Sequence, residues 1–255
     1  MSRGAICYSW IMQRFSQNPD QPLKIASTPN PAPRRGAPLE PFLRRTVILA
    51  NGDFPSAPWA LDALSSARHV ICCDGAAAPF IRRFRRDPDA VVGDLDSLPP
   101  ALRRRLGARA VRVSEQDDND LAKAFDFCVS RRLGNDIVIL GATGRREDHT
   151  LANISWLAEF ATRARRVALL TDTGVFTAIT APGGAVATRP GMQLSFFGFD
   201  QNQTLTADGV LYPVRDLRLR RWFTASLNEA TGRRVRLSFA GAPVVVFREF
   251  PRQRR

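Results

Sequence analysis

Several features that would assign a function class are scarce or missing in this sequence. No apolar run in the 255 residues approaches the ~20 residues that a transmembrane helix needs, so we predict no membrane partner. The chain has only two histidines, which gives little support to a Ser-His-Asp hydrolase. It also lacks the Lys-Ser/Thr of a Walker A loop, the G-x-G-x-x-G dinucleotide fingerprint and the signature set of protein kinases.

Cysteine is also sparse, with four residues at Cys7, Cys72, Cys73 and Cys128. Their spacing matches neither a paired metal motif nor a disulfide framework. Cys72 and Cys73 are adjacent in a predicted strand, so they point to opposite faces and cannot bind one ion together. We therefore predict buried free thiols and a cytoplasmic protein.

The formal net charge of +13 is concentrated towards the two ends of the chain. Residues 1–45 carry +5 and residues 215–255 carry +8, whereas residues 46–214 have equal numbers of acids and bases. A basic surface that follows nucleic-acid phosphates usually belongs to the folded binding face. We therefore favour a solvated, Arg-rich surface over a nucleic-acid partner.

The first 45 residues are rich in Pro, Ser and Arg and poor in acids. They contain no secretory apolar core, and their composition would also suit an organelle transit peptide. We expect residues 1–45 to be a disordered extension, or the product of a start codon placed too early, outside the fold. Residues 251–255 form a basic tail.

From residue 46 onward, short apolar β-type runs alternate with segments of helical spacing. This alternation predicts an α/β domain over 46–175, with a mostly parallel sheet flanked by helices. After about residue 172 the helices stop, and short β-type runs are separated by Gly, Pro and Asp turns. That pattern predicts a second, all-β sandwich domain over 176–250.

Acidic residues follow several of the predicted strands. Asp74 ends one strand, Asp94 ends the next with Asp96 two residues later, and Asp120 lies at the entry to a helix. In a parallel sheet these carboxylates converge on one edge, where ligands bind. Neighbouring carboxylates are stable as anions only around a cation. Because Mg²⁺ takes one or two carboxylates and leaves its other positions to phosphate and water, we predict a Mg²⁺ site for a phosphorylated substrate.

Each acidic position also has a purely structural interpretation. Asp117, Asp118 and Asn119 could cap the following helix, and Asp74 with Gly75 could form an ordinary turn. The occurrence of acids at successive strand ends favours the metal site over these alternatives.

A Gly-rich segment, residues 141–154, follows another predicted strand. Glycines allow close approach of a ligand to the backbone, and the following helix offers free N–H groups to an anion. Arg145 and Arg146 could contact phosphate. Asp148 could cap the helix, and His149 could contact a ligand or take part in the cap.

Six segments resemble, in order, the motifs of thiamine pyrophosphokinases. They are ILANGD (48–53), CDGA (73–76), GDLDS (93–97), EQDDNDLAKA (115–124), GATGRREDHTLANI (141–154) and SLNE (226–229). The resemblance implies an α/β domain followed by a β-sandwich that binds thiamine. It also implies a homodimer with its site at or near the subunit interface, and transfer of diphosphate from Mg-ATP to the thiamine hydroxyl with release of AMP.

The resemblance further implies roles for individual residues. Mg²⁺ and the ATP phosphates would be held by the catalytic carboxylates Asp74, Asp94, Asp96 and Asp120. ATP or substrate would be bound by Asn51, Gly52, Gln116, Asn119, Lys123, Arg146, Asp148, His149, Ser226 and Asn228. Three positions depart from the family pattern: Arg145 stands where a second Gly is usual, Asn119 replaces a Thr and Leu227 replaces a Ser.

Two other functions stay open from the sequence. A diphosphokinase of another small alcohol, such as a hydroxymethyl pterin, could use the same scaffold. A basic nucleic-acid-binding protein with a degenerate enzyme fold is an alternative from a different class. The retained acids argue against the latter, because unused clustered carboxylates destabilise a fold by mutual repulsion.

Overall fold

The computed structural model describes residues 42–115 and 118–250. Most of the predicted extension, the tail 251–255 and the predicted contact Gln116 therefore lie outside the described residues. The chain divides after Glu147 into two compact units. This division follows contacts in space, whereas the limits predicted from the sequence, 46–175 and 176–250, follow the change from alternating helices and strands to strands alone.

The first unit is built on five parallel strands in the order β5-β1-β2-β3-β4. Its elements are β1 Thr46–Leu49, α1 Pro58–Ser65, β2 His69–Cys73, α2 Ala77–Phe84, β3 Ala90–Gly93, α3 Pro100–Leu106, β4 Ala110–Arg112, α4 Asp120–Ser130 and β5 Asp136–Leu140. All residues of β1, β3 and β5 are buried, as expected when helices cover both faces of a parallel sheet. The predicted parallel, helix-flanked sheet is confirmed.

Helix ends in this unit follow local signals, with one difference from prediction. Proline opens α1 and α3, and Gly107 ends α3 with φ +55°. The helical spacing of apolar residues from Leu121 to Leu133 predicts a helix that stops at Gly134, but α4 ends at Ser130. Arg132 adopts φ +51°, and the Leu133 N–H donates to the Cys128 carbonyl at 3.0 Å. This six-to-one bond with a left-handed residue closes the helix before the glycine is reached.

The second unit begins in α5 and is otherwise antiparallel β structure. Its elements are α5 Glu147–Phe160, β6 Arg166–Leu170, β7 Gly174–Ile179, β8 Gly183–Ala187, β9 Gln193–Gly198, β10 Thr204–Asp208, β11 Val214–Arg218, β12 Ala225–Glu229, β13 Arg234–Phe239 and β14 Val244–Glu249. Strands order as β12-β9-β14-β7-β6 and as β11-β10-β13-β8. Phe196 of β9, Leu205 of β10 and Val246 of β14 share one apolar core. The predicted β-sandwich is confirmed, since both sets of strands contribute to this core.

Three strands of the sandwich have no clear period in the sequence. Two glycines open β8, and charged residues occupy the middle of β11. In β12 the pairing with β9 shifts register between Ala225 and Asn228, and Leu227 takes φ +59°. A bulge of this kind breaks the alternation that identifies a half-buried strand.

Two further predictions from the sequence concern membrane helices and cysteines. Across residues 42–115 and 118–250, no helix combines the length and apolar character needed to cross a bilayer. Cys72, Cys73 and Cys128 are free and buried, as predicted. Burial raises the pKa of each of these thiols, so they are protonated and unreactive at neutral pH. Cys7 lies outside the described residues.

Candidate functional site

The carboxyl ends of the parallel strands place several polar segments at one edge of the first unit. Asn51 and Gly52 follow β1, Asp74 follows β2, and Asp94 follows β3. The Gly-rich segment begins at Gly141, directly after β5. Asp120, the first residue of α4, also lies at this edge, near Gly93 at the end of β3.

Asp74, Asp94 and Asp120 form a cluster of three carboxylates, the acidic cluster, around Gly93. A Cβ atom placed on Gly93 would lie 3.1 Å from the Asp74 Cβ and 3.3 Å from Asp120 Oδ1. Any larger residue would therefore push these two side chains apart. Glycine at this strand end thus leaves room for the carboxylates that follow β2 and open α4 to approach each other.

Asp74 is the most deeply placed member of the acidic cluster, with 4% of its surface exposed. Its Oδ2 accepts a hydrogen bond from the Ser97 N–H at 3.1 Å, whereas its buried Oδ1 has no hydrogen-bond partner among the described residues. Burial raises the pKa of Asp74; the Ser97 bond opposes this shift, and the charges of Asp94 and Asp120 add to it. An unpartnered, buried carboxylate oxygen of this kind is suited to a cation.

Three non-glycine residues at the same edge adopt left-handed backbone conformations. Asp74 adopts φ +37°, Leu95 φ +66° and Arg145 φ +58°. Non-glycine residues in this region cost on the order of 1–3 kcal/mol each and collect at functional sites. The left-handed turn at Asp74 directs a charged residue into the fold immediately after β2, so the interpretation of Asp74 and Gly75 as an ordinary turn accounts for only part of this geometry.

Asp120 and Lys123 form an ion pair on the first turn of α4. Lys123 Nζ lies 3.6 Å from Asp120 Oδ1, and only 3% of the lysine side chain is exposed. Burial raises the pKa of Asp120; Lys123 opposes this shift and Asp94 adds to it. Asn119 was predicted to contact substrate or to cap this helix, and it is the N-cap, because its Oδ1 accepts from the Ala122 N–H at 3.0 Å.

Asp96, the fourth predicted metal ligand, lies outside the acidic cluster. It is exposed, and its backbone N–H donates to Asp94 Oδ1 at 3.0 Å. Its charge is not among those that raise the pKa of Asp74 or Asp120. In the part of the chain that the structure describes, no three His, Cys, Asp or Glu side chains are arranged as a ready-made metal cage.

The loops after β1 and β5 are joined by backbone hydrogen bonds. The Gly52 N–H donates to the Gly141 carbonyl at 2.7 Å, and the Asp53 N–H donates to the Thr143 carbonyl at 2.9 Å. A Cβ on Gly52 would lie 2.4 Å from the Thr143 oxygen, so only glycine fits there. This pairing holds Asn51 at the rim of a cavity.

The cavity, which we call the loop cavity, has a volume of about 470 Å³. It lies between the loops that follow β1 and β5 and the start of α2. Its lining residues are Ala50, Asn51, Gly52, Phe54, Gly75, Ala76, Ala78, Pro79, Arg82 and Arg145. Gly75 directly follows Asp74 of the acidic cluster, so the loop cavity and the cluster are neighbouring parts of one strand edge.

The sequence did not indicate Phe54 or Arg82 as site residues, and it indicated Arg145 only as a possible phosphate contact beside Arg146. Arg145 carried a signal, since it lies in the Gly-rich segment next to Arg146. Arg82 lies in the middle of α2, where no local pattern separates it from the adjacent Arg83. Arg146, the arginine that was selected, is exposed and does not line the loop cavity.

The remaining predicted contacts lie in the second unit. Asp148 and His149 are exposed in the first turn of α5, where the His149 N–H donates to Asp148 Oδ1 at 2.9 Å. Ser226 is half-buried in β12. The amide of Asn228 is buried, donates to the Tyr212 carbonyl at 2.8 Å and accepts from the Tyr212 N–H at 3.1 Å. Asn228 therefore holds the Tyr212 backbone against β12.

Comparison with known proteins matches this edge of the fold to one family. The family model described as thiamin pyrophosphokinase, catalytic domain, matches residues 60–169. Thiamine pyrophosphokinase 1 of rice (Oryza sativa subsp. japonica) is 32% identical over 174 residues, which are 59% of this chain and 62% of the rice protein. The match thus spans about three fifths of that relative's length.

Solved structures show the same fold at lower identity. Thiamine pyrophosphokinase from Bacillus subtilis superposes with a TM-score of 0.65 at 23% identity, covering 80% of this chain and 98% of that one. Thiamin pyrophosphokinase from Candida albicans superposes with a TM-score of 0.69 at 15% identity, covering 90% and 97%. The family model, the curated relatives and the fold all support a similarity of this chain to the thiamine pyrophosphokinase family.

Proposed function

We propose that this protein transfers a diphosphate group from Mg-ATP to the hydroxyl of thiamine, giving thiamine diphosphate and AMP. The observation that carries the proposal is the acidic cluster, in which the Asp74 Oδ1 is buried without a hydrogen-bond partner among the described residues. The acceptor is inferred from relatives such as the rice protein, which is named a thiamine pyrophosphokinase.

Asp74, Asp94 and Asp120 would hold the Mg²⁺ that accompanies ATP, with Asp96 next to them on the β3 loop. Two or three carboxylates without a complete protein cage suit an ion whose other positions are filled by phosphate and water. When bound, Mg²⁺ supplies positive charge that offsets the charge developing on the phosphate oxygens.

The protein's own residues would contribute mainly position and electrostatics. The thiamine hydroxyl oxygen attacks the β-phosphorus of ATP and forms a new P–O bond. The bond from the β-phosphorus to the oxygen that bridges the α- and β-phosphates breaks, and AMP leaves with that oxygen. A carboxylate of the acidic cluster would accept the hydroxyl proton. Lys123 partly compensates the charge of Asp120, and Asn51 and Gly52 would line the nucleotide.

The test is AMP formation from Mg-ATP with a panel of alcohols. We expect AMP release that depends on thiamine, and only background release with a hydroxymethyl pterin or with no acceptor. AMP release that depends on the pterin would show that the acceptor is the hydroxymethyl pterin and not thiamine. No acceptor-dependent AMP, together with salt-sensitive binding of RNA or DNA, would overturn the enzyme proposal in favour of nucleic-acid binding.

We also propose that the protein works as a homodimer through an apolar face of the second unit. Trp222 is 43% exposed, Phe223 48% and Leu227 81%. The Phe197 and Trp222 ring centroids are 5.5 Å apart, and those of Trp222 and Phe223 are 5.9 Å apart. Contiguous exposed aromatic surface of this kind usually marks an interface.

Sedimentation analysis is expected to give the mass of a dimer for the native protein. Replacing two members of this face, Trp222→Ser with Leu227→Ser, is expected to shift the population to monomer because the apolar area is lost. Leu151→Ser, which removes a 53% exposed leucine of α5, serves as a matched control and should leave the dimer intact. A native monomer at micromolar concentration would contradict the proposal.

A further inference from the structure

The loop cavity is lined by two arginines and by no acidic residue. Arg82 reaches it from α2 and Arg145 from the loop after β5. Within residues 42–115 and 118–250, neither guanidinium forms an ion pair with a carboxylate. Two cations facing one cavity repel each other unless an anion lies between them, so the cavity has the charge of an anion site.

Arg145 occupies this position at a conformational cost. Its φ of +58° is left-handed, as is the φ of +79° of the preceding Gly144. Glycine adopts this conformation without strain, whereas a residue with a Cβ atom does not. Because glycine would fit this backbone conformation with less strain, a role for the guanidinium group accounts for the arginine at this position.

The side chain of Arg145 orients the amide of Asn51. Arg145 Nη1 donates to the Asn51 carbonyl at 2.8 Å and to Asn51 Oδ1 at 3.2 Å. Since a guanidinium has only donors, the amide oxygen must face it, and the amide nitrogen then lies over Gly75. Asn51 therefore presents an NH₂ donor at the cavity, beside the two guanidinium groups.

We propose that Arg145 and Arg82 form an additional anchor for a phosphate group of the nucleotide, and that Arg145 also holds the Asn51 amide as a donor to it. Arg145 is thus a binding and positioning residue in the Gly-rich loop that follows β5. The inference rests on the proposed function for the identity of the ligand as a nucleotide. Unlike the proposed transfer reaction, the inference concerns the affinity of the protein for the phosphates of the nucleotide, which can be measured without an acceptor.

The test is calorimetric titration of the full chain with Mg-ATP and, separately, with adenosine. Arg145→Gly is expected to weaken Mg-ATP binding at least tenfold while leaving adenosine affinity within twofold, because only the phosphates lose a partner. Arg145→Lys keeps a charge but not the forked contact, so a smaller loss of about threefold is expected. Asn51→Ala combined with Arg145→Gly should weaken binding by less than the product of the two single losses.

Arg132→Gly is the matched control, because Arg132 is exposed, has φ +51° and does not line the loop cavity. Both glycine variants should melt no lower than the native protein, whereas only Arg145→Gly should change ATP affinity. Equal losses for ATP and adenosine, or ATP affinity within twofold of native, would overturn the inference. If native protein binds Mg-ATP through Arg145 but forms no AMP with thiamine, the proposed function fails and the phosphate anchor stands.

Discussion

Asp74→Asn is expected to reduce thiamine-dependent AMP formation by about 10²–10³-fold, the usual cost of losing one preorganised electrostatic group. The same variant is expected to melt at a higher temperature than the native protein when both are measured in EDTA. Asn keeps an acceptor for the Ser97 N–H and tolerates the left-handed φ of +37°, so the backbone loses nothing. It removes the charge that burial and the neighbours Asp94 and Asp120 make unfavourable.

The sign of this stability change follows from the direction of the pKa shift. The pKa of Asp74 is raised in the folded protein, so between its unfolded and folded values the native state binds more protons than the unfolded state. Stability therefore falls as pH rises through that interval, and the ionised carboxylate destabilises the fold at neutral pH. The advantage of the Asn variant should accordingly shrink as the pH is lowered towards 4.

Asp62→Asn is the control for this substitution, because Asp62 lies on α1 and takes no part in the acidic cluster. It should leave both AMP formation and the melting temperature close to the native values. Activity of Asp74→Asn within threefold of native would remove Asp74 from the proposed metal site. A clearly lowered melting temperature would instead mean that Asp74 has a structural role that the unpartnered Oδ1 does not reveal.

Gly52→Ala is expected to lower the free energy of unfolding by about 1–3 kcal/mol and to abolish nucleotide binding. The new Cβ would lie 2.4 Å from the Thr143 oxygen and 2.5 Å from the Gly141 oxygen, both of them backbone atoms that cannot rotate away. The loops after β1 and β5 would have to separate, which breaks the 2.7 Å bond from the Gly52 N–H to Gly141. Asn51 would then lose its place in the loop cavity.

Chemical denaturation followed by titration with Mg-ATP measures both effects. Gly232→Ala provides the matched control, since a Cβ at Gly232 meets no atom within 4 Å. Its stability and nucleotide affinity should match those of the native protein. A Gly52→Ala variant with native stability and affinity would show that the two loops are not coupled as their hydrogen bonds indicate.

Local patterns were sufficient for most of the architecture. Apolar β-branched runs punctuated by glycine and proline predicted the strands of the parallel sheet, because such runs are buried on both faces. The same patterns failed at β8, β11 and β12, where glycines, charges and the bulge at Leu227 remove the alternation. The helix α4 was predicted too long because a left-handed Arg132 ends it before Gly134.

Roles of polar side chains were harder to predict than elements. Asn119 caps α4, which the sequence offered as an alternative to a substrate contact, whereas Asn228, predicted only as a substrate contact, binds the backbone of Tyr212, sixteen positions away. A motif identifies such residues without showing where their hydrogen bonds go. Only the packed structure assigns those bonds, because every buried donor and acceptor needs a partner.

The sequence by itself determined the order of helices and strands and the presence of acids directly after β2 and β3. These are local properties, set by the spacing of apolar residues and by turn-forming residues a few positions away. Only the tertiary structure decided that Asp120 lies against Gly93 beside Asp74, that Arg145 rather than Arg146 lines the loop cavity, and that Asp74 Oδ1 is buried without a partner among the described residues. Those outcomes depend on distances through space between segments far apart in the chain, which no local pattern specifies.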